Sequence, residues 1–426
     1  MTQQLLELPL VFAIPPKRKS NFRDEVRAFK RFGKRTCELE MLVSSFDGKP
    51  VNVPMYVNEF WTAQQRQANK LHEISYRACF KPQLPGFFIE RFTDRGDVVY
   101  DPFMGRGTTC IEAALMDRVP AGCDINPLST VLTRPRISPP ALGEIEARLR
   151  GIDLSSANKL DEDLLVFYHP ETLKQITSLK DYLLARQKRG QLDSVDDWIR
   201  MVALNRLTGH SRGFFSVYTL PPNQAVSVKS QRKINERRKQ VPPLRNVPDV
   251  ICRKSRHLLR DCDNQTRLRL LTLGQKAQFL TGDSSKTPEL RSNRVSLVVT
   301  SPPFLDVVDY ATDNWLRCWF LGIDAKSVKL TVPKKLDDWQ RVMTNVFREL
   351  RRVLKPGGHV AFEVGEVRRG TLRLEEAVLP CGLAAGLEPL LVLINAQKFT
   401  KTANCWGVDN NSLGTNSNRI VLFRKP

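Results

Sequence analysis

The residues of this chain best suited to chemistry are Ser301-Pro302-Pro303-Phe304, which follow the apolar, β-branched run Val295-Ser296-Leu297-Val298-Val299. A run of this kind that stops at two prolines predicts a buried strand ending at the rim of a parallel sheet, where open α/β folds keep their ligand crevices. Two consecutive prolines fix φ twice and remove two backbone donors, leaving a stiff turn whose carbonyls are acceptors. Ser301 adds a hydroxyl acceptor and Phe304 a flat apolar face. This set suits a planar base carrying an exocyclic amine, because acceptors can take the N–H groups while the ring stacks on the aromatic. The amine of cytosine or adenine is a poor nucleophile, since its lone pair is delocalised into the ring. Hydrogen bonds that favour a pyramidal nitrogen turn that pair toward an electrophile, and no covalent enzyme intermediate is then required. Taken alone, the same residues also fit a plain strand exit through a Pro-Pro turn.

A second constellation is Asp97-Val98-Val99-Tyr100-Asp101-Pro102-Phe103-Met104-Gly105-Arg106-Gly107-Thr108-Thr109, running into a helical stretch at 110–116. Strand, glycine turn and helix form the first unit of a nucleotide-type α/β domain. Gly105 and Gly107 let the backbone turn tightly and approach a ligand with no Cβ in the way. The third glycine of the dinucleotide fingerprint is missing and no P-loop Gly-Lys-Ser/Thr is present, so an adenosyl amino acid is favoured over a pyrophosphate. The stretch 119–127 then reads as a second strand ending in Asp124, a carboxylate able to accept both ribose hydroxyls of an adenosyl group.

These two motifs resemble the amino-methylating DNA methyltransferases, whose catalytic tetrapeptide reads Ser/Asp/Asn-Pro-Pro-Tyr/Phe and whose cofactor motif reads Asp-Pro-Phe-x-Gly-x-Gly-Thr-Thr. Arg106 stands where a small residue is frequent in relatives. The resemblance covers about residues 70–135 and 275–426 and implies a Rossmann-like α/β fold with a mostly parallel, seven-stranded sheet. It implies S-adenosylmethionine as cofactor, held by Asp101, Pro102, Phe103, Gly105, Gly107 and Thr108, with Phe80 and Lys81 covering the methionine end. It places Asp124 on the ribose and Asp283, in the strand-like run 277–284, on the adenine amine. A leading serine is more typical of N4-cytosine enzymes, and Asp or Asn of N6-adenine enzymes. The implied activity is therefore site-specific methylation of cytosine N4 in double-stranded DNA, with adenine N6 as the alternative. A cognate restriction endonuclease is a possible partner.

Other elements must position these groups. Residues 1–60 mix short apolar and basic pieces and read as a basic arm or a packing layer. Residues 61–137 and 271–426 read as the catalytic domain, leaving 138–270 as an insertion with apolar residues at helical spacing over 171–186 and 195–207. In the insertion's second half, Lys229, Arg232, Lys233, Arg237, Arg238, Lys239, Arg245, Arg253, Lys254, Arg256 and Arg260 face only Glu236 and Asp249. Beside this run lie Arg212, Phe214, Phe215 and Tyr218. A charge run is commonly a solvated face, but phosphate contacts from Lys and Arg with aromatic groups reading bases are what target recognition requires. We therefore read the insertion as the target-recognition region. Aromatic residues at 310 and 315–321 suit either a base-pocket wall or core packing. A helix over 339–354 should stop at Lys355-Pro356-Gly357-Gly358, followed by a strand and a closing antiparallel pair of 390–394 with 420–423. The Asn-, Gly- and Ser-rich loop over 407–418 could reach nucleic acid or merely connect.

Composition bounds the alternatives. With 426 residues the chain can bury a full core and carry a large insertion, and its net charge of +21 marks a polyanionic partner. No apolar run approaches the roughly 18 residues a membrane span needs, which predicts a soluble, cytoplasmic protein. The nine cysteines and five histidines are scattered without a Cys-x-x-Cys pair, arguing against disulfides and a metal site. Pro380-Cys381 could be the nucleophile of a 5-cytosine enzyme, but it falls in a helical context away from the expected catalytic strand end, so a structural role is expected. An RNA amino-methyltransferase shares the fold and the turn. A silent DNA-binding scaffold would not need Gly105, Gly107, Asp124, Asp283 and Ser301 together.

Overall fold

The computed structural model describes residues 21–31, 33–62, 68–76, 79–219, 225–303, 310–328, 333, 335–364, 366–367, 372–396 and 417–426. In chain order the strands are β1 (Lys30–Arg31), β2 (Lys34–Arg35), β3 (Cys37–Ser44), β4 (Pro50–Asn58), β5 (Val98–Asp101), β6 (Val119–Asp124), β7 (Gln278–Thr281), β8 (Val295–Thr300), β9 (Leu354–Val364), β10 (Glu366–Val367), β11 (Leu372–Arg373), β12 (Glu388–Ala396) and β13 (Ser417–Arg424). Nine of them form one sheet in the order β3-β4-β12-β13-β9-β8-β5-β6-β7. The pairs β5–β6, β6–β7, β5–β8, β8–β9 and β12–β4 are parallel, and β12–β13, β13–β9 and β3–β4 are antiparallel.

The sequence implies seven strands, and those seven are the run from β7 to β12. The other two come from the N-terminal segment, where we expected an arm or packing layer. Met41, Val43, Val53 and Met55 are buried while Glu40, Leu42 and Asn52 are exposed, and Gly48 sits at φ +78° in the connecting turn. Period-two burial around an Asp47-Gly48 turn is a hairpin pattern, so both strands were legible in the sequence.

The helices are α1 (Phe22–Ala28), α2 (Gln83–Phe92), α3 (Thr108–Leu115), α4 (Pro127–Ile137), α5 (Leu142–Arg150), α6 (Pro170–Lys188), α7 (Ser194–Leu204), α8 (Val228–Arg238), α9 (Val247–Leu258), α10 (Asn264–Gly274), α11 (Tyr310–Leu321), α12 (Leu336–Val353) and α13 (Leu374–Ala384). Alternation along β8 divides the core. Val298 packs with α12 and α13, whereas Leu297 and Val299 pack with α1, α2 and Ala113 of α3. α12 carries Trp339, Met343, Val346, Phe347, Leu350 and Val353 on one stripe, the spacing of a helix laid on a sheet. Helices α5–α10 come between α4 and β7, and their apolar residues form one cluster with those of α3, α4 and α11. Asp196 of α7 is fully buried between the guanidinium groups of Arg148 and Arg186, which locks α5, α6 and α7 together. Among the described residues no helix is long and apolar enough to cross a membrane.

Strand order reverses beside β5, with β6 and β7 on one side and β8 and β9 on the other. In open α/β sheets the crevice at such a reversal, beyond the carboxyl ends of the strands, is where ligands bind.

Candidate active site

Both sequence motifs end at that crevice. β5 and β8 are adjacent and parallel, with Tyr100 opposite Val298. Their ends are joined by side chains: Thr300 Oγ1 donates to Asp101 Oδ1 at 2.6 Å, and Thr109 Oγ1 donates to the Val299 carbonyl at 3.0 Å. Asp101 is 1% exposed and its Oδ1 also accepts from the Phe103 backbone at 3.1 Å. Burial pushes its carboxyl up to about 7 against the pull of those hydrogen bonds. Asp101 thus ties the glycine turn to the Ser-Pro-Pro turn, with its carboxyl directed into the protein.

The turn between β5 and α3 is left-handed at Gly105 (φ +53°) and Gly107 (φ +78°). A Cβ on Gly107 would lie 2.2 Å from Thr133 Oγ1, so α4 can pack here only against a bare backbone. Thr108 opens α3 and is buried, its hydroxyl accepting from Arg106 Nε at 3.1 Å. The Pro102 carbonyl accepts from Ser284 Oγ, and Phe103 is half-buried against the core.

Asp124 stands at the end of β6 beside this turn. Its Oδ2 accepts from Gly105 N at 2.7 Å and its Oδ1 from Asn126 N at 2.9 Å. Burial raises its carboxyl and those two N–H groups oppose the rise. Each oxygen keeps a lone pair for a further donor. β7 ends next to β6, with Thr281 opposite Asp124, and Gly282 N donates to the Asp124 carbonyl at 3.0 Å. Asp283 follows, exposed, at the same edge. Phe80 and Lys81, both half-buried, precede α2, and burial lowers the Lys81 ammonium.

Beyond Thr300, Ser301 is half-buried and Pro302 buried. Trp339 Nε1 donates to the Pro303 carbonyl at 3.1 Å, which fixes the turn from the α12 side. Glu363, near the end of β9, accepts from Asn418 Nδ2 at 3.0 Å, and the Ser301 hydroxyl is close enough to help lower its carboxyl. Burial raises the Glu363 carboxyl while these two donors hold it down. Phe304 lies outside the described residues.

A bare-backbone turn, a carboxylate at each of two adjacent strand ends, and a Ser-Pro-Pro corner bonded to the same turn make a pocket whose residues fit an adenosyl amino acid beside a second, planar ligand. The family profile described as DNA methylase, covering N6 and N4 enzymes, matches residues 10–129, from the N-terminal segment through the glycine turn and Asp124. The chain is 24% identical over 303 residues to the type II methyltransferase M.BsoBI of Geobacillus stearothermophilus, covering 62% of this chain and 55% of that protein. It is 29% identical over 104 residues to the type II methyltransferase M.MjaII of Methanocaldococcus jannaschii, covering 24% of this chain and 17% of that one. Over residues 10–129, and across these relatives, the chain is similar to the amino-methylating DNA methylases. It spans about half the length of M.BsoBI (55%). Among solved structures, TrmN from Thermus thermophilus is 12% identical, covers 85% of this chain and 53% of that chain, and superposes with a TM-score of 0.34.

Three residues of the pocket escape sequence reasoning, Trp339, Glu363 and Tyr76, and Asn418 is read there only as part of the 407–418 loop. Tyr76 approaches the glycine turn, and its hydroxyl accepts from Asn126 Nδ2 at 3.0 Å. Arg106, the departure from the family pattern, is 4% exposed and turns inward, its Nη1 donating to the Ile74 carbonyl at 3.2 Å. No local pattern marks these contacts, because each joins segments far apart in the chain.

The basic residues of the insertion lie apart from the pocket's own machinery. Arg212, Lys229, Arg232, Lys233, Arg237, Arg238 and Lys239 are all exposed, most of them on α8. Arg238 stacks over the Tyr218 ring at 3.8 Å, a cation on an aromatic face at the surface. α8 connects to the catalytic side through the segment before it, where the Ala225 carbonyl accepts from Trp315 Nε1 of α11 at 3.3 Å. Cys381 sits in α13, fully buried, with its thiol pushed up to about 11 by burial, which makes it a poor nucleophile.

Proposed function

We propose that the chain methylates the N4 amine of a cytosine everted from double-stranded DNA, using S-adenosylmethionine. The observation that carries this reading is the Thr300–Asp101 bond, which holds Ser301-Pro302-Pro303 and the glycine turn at one crevice. Gly105, Gly107, Phe80 and Lys81 would hold the methionyl end of the cofactor, Asp124 the ribose hydroxyls and Asp283 the adenine amine. When bound, the cofactor supplies a sulfonium methyl as the electrophile.

The remaining work falls to the chain's own groups. The Pro303 carbonyl is taken by Trp339, which leaves the Pro302 carbonyl and Ser301 Oγ as acceptors for the two amine hydrogens. A Ser301 hydroxyl turned toward the nearby Glu363 would keep both of its lone pairs for the base. Two acceptors on one amine favour a pyramidal nitrogen and turn its lone pair out of the ring. Phe304 would stack on the base, and the α8 residues Lys229, Arg232, Lys233, Arg237 and Arg238, with Lys239 and Arg212, would bind phosphates.

The test is to incubate the protein with methyl-labelled cofactor and either duplex DNA or RNA, digest the product to nucleosides and identify the labelled one by mass. N4-methyldeoxycytidine from DNA supports the reading. N6-methyldeoxyadenosine would move the acceptor to adenine, label in RNA would replace the partner, and no label in either would leave a binding scaffold.

A further inference from the structure

We infer that Tyr76 is a cofactor-binding residue that closes the pocket over the glycine turn. The inference rests on the reading that this pocket takes S-adenosylmethionine, and nothing in the glycine motif or the catalytic turn predicts it. A Cβ placed on Gly105 would lie 3.7 Å from Tyr76 Cε1, so the edge of the ring borders the bare face of the turn. From the ring's edge a closed circuit of bonds runs back to the same turn. The Tyr76 hydroxyl accepts from Asn126 Nδ2 at 3.0 Å, Asn126 N donates to Asp124 Oδ1 at 2.9 Å, and Asp124 Oδ2 accepts from Gly105 N at 2.7 Å. Tyr76, Gly105 and Asp124 therefore belong to one bonded cluster at the glycine turn. Burial and the adjacent Asp124 charge both raise the Tyr76 phenol, keeping it protonated.

The segment leading to Tyr76 is held at several points. Arg106 Nη1 donates to the Ile74 carbonyl at 3.2 Å and Arg136 Nη1 to the Leu71 carbonyl at 3.0 Å, which anchors it to the glycine turn and α4. Ser75 N donates to Asn205 Oδ1 at 2.9 Å, and Arg317 Nη2 donates to the Ser75 carbonyl at 3.1 Å, which anchors it to the end of α7 and to α11. Arg106 thus has a use for its size: a small residue at its position could not reach Ile74. A flat side chain whose rotamer is set before the ligand arrives loses little freedom on binding, the condition under which an aromatic wall adds affinity.

Titration of S-adenosylhomocysteine into the wild-type chain, Tyr76→Phe and Tyr76→Ala by calorimetry tests this. Removing the ring should raise Kd about tenfold, and removing the hydroxyl alone should raise it roughly two- to fivefold, with affinity for a mixed-sequence DNA duplex unchanged in both. In steady state the cofactor KM should rise with kcat held. Wild-type Kd in Tyr76→Ala would overturn the inference. If that variant does not fold, Tyr76→Leu keeps apolar bulk without the flat ring, and wild-type binding by it would overturn the inference equally. A wild-type chain that binds no S-adenosylhomocysteine would overturn the functional reading together with it.

Discussion

A serine hydroxyl can accept from an amine with both lone pairs only if its own proton points elsewhere, and the nearby Glu363 would give that proton a destination. Ser301→Ala should cost about 10²–10³ in kcat, as loss of an acceptor aimed at the reacting group does, while leaving cofactor affinity intact. Single-turnover methyl transfer and calorimetry on the same preparation check both halves, and a large loss of cofactor affinity would contradict the division of roles. Burial holds the Glu363 carboxyl above its ordinary range, and only the ionised form draws the Ser301 proton. The acid limb of kcat should therefore lie above the ordinary glutamate pKa of about 4.3, with activity lost as pH falls, and Glu363→Gln should abolish that limb. Asp101 acts on stability. Its carboxyl, pushed up to about 7, keeps its proton in the folded chain through a range where the unfolded chain has lost it. Folding stability from this group is thus greatest at low pH and declines as pH rises from about 4 to 7. Asp101→Asn retains an acceptor for Thr300 and should flatten that slope, which urea melts at pH 5 and pH 8 would resolve.

At the scale of elements, the pocket depends on how closely α4 approaches the turn before α3. Gly107 combines a left-handed backbone with a Cβ position 2.2 Å from Thr133 Oγ1, so Gly107→Ala meets both conformational strain and a clash with a helix that cannot retreat. We expect a loss of about 2–4 kcal/mol in folding stability. The double variant Gly107→Ala/Thr133→Ala should recover only part of it, because Thr133 Cβ would itself lie 2.9 Å away. Chemical denaturation of the four-member cycle measures the coupling, and full additivity would mean that this close approach is not what constrains the turn. The same dependence explains the limits of local reading. The Pro-Pro corner, the glycine turn and the stop of α12 are legible because each is set by the conformational preferences of a few adjacent residues. Trp339 and Tyr76 look like ordinary core aromatics in the sequence, and only the packing of α12 on the Ser-Pro-Pro turn and of residues 69–76 on α3 gives them their neighbours.

Over the whole molecule, the net charge of +21 is spread over a chain whose pocket is rich in buried acids, while exposed cations collect on α8 and beside it. Replacing Arg237, Arg238 and Lys239 by glutamine should weaken binding to any duplex and reduce the slope of log K against log salt by about 0.9 for each phosphate that is no longer neutralised. A slope equal to that of the wild type would remove α8 from the DNA interface. Helices α5–α10 share a continuous apolar core with α3, α4 and α11, so α8 and the crevice at the glycine turn belong to one packed body.

The sequence by itself determined the two motifs, the α/β class, the helical character of 138–270 and the closing hairpin, because proline, glycine and apolar periodicity act over a few residues at a time. It also contained the β3–β4 hairpin, whose alternation and Asp47-Gly48 turn we read as an arm or packing layer. Tertiary structure decided the rest. That Asp101 faces Thr300, 199 positions away, and that Glu363 lies beside Ser301, follow from the register of β5, β8 and β9, and register is set by the whole core closing at once.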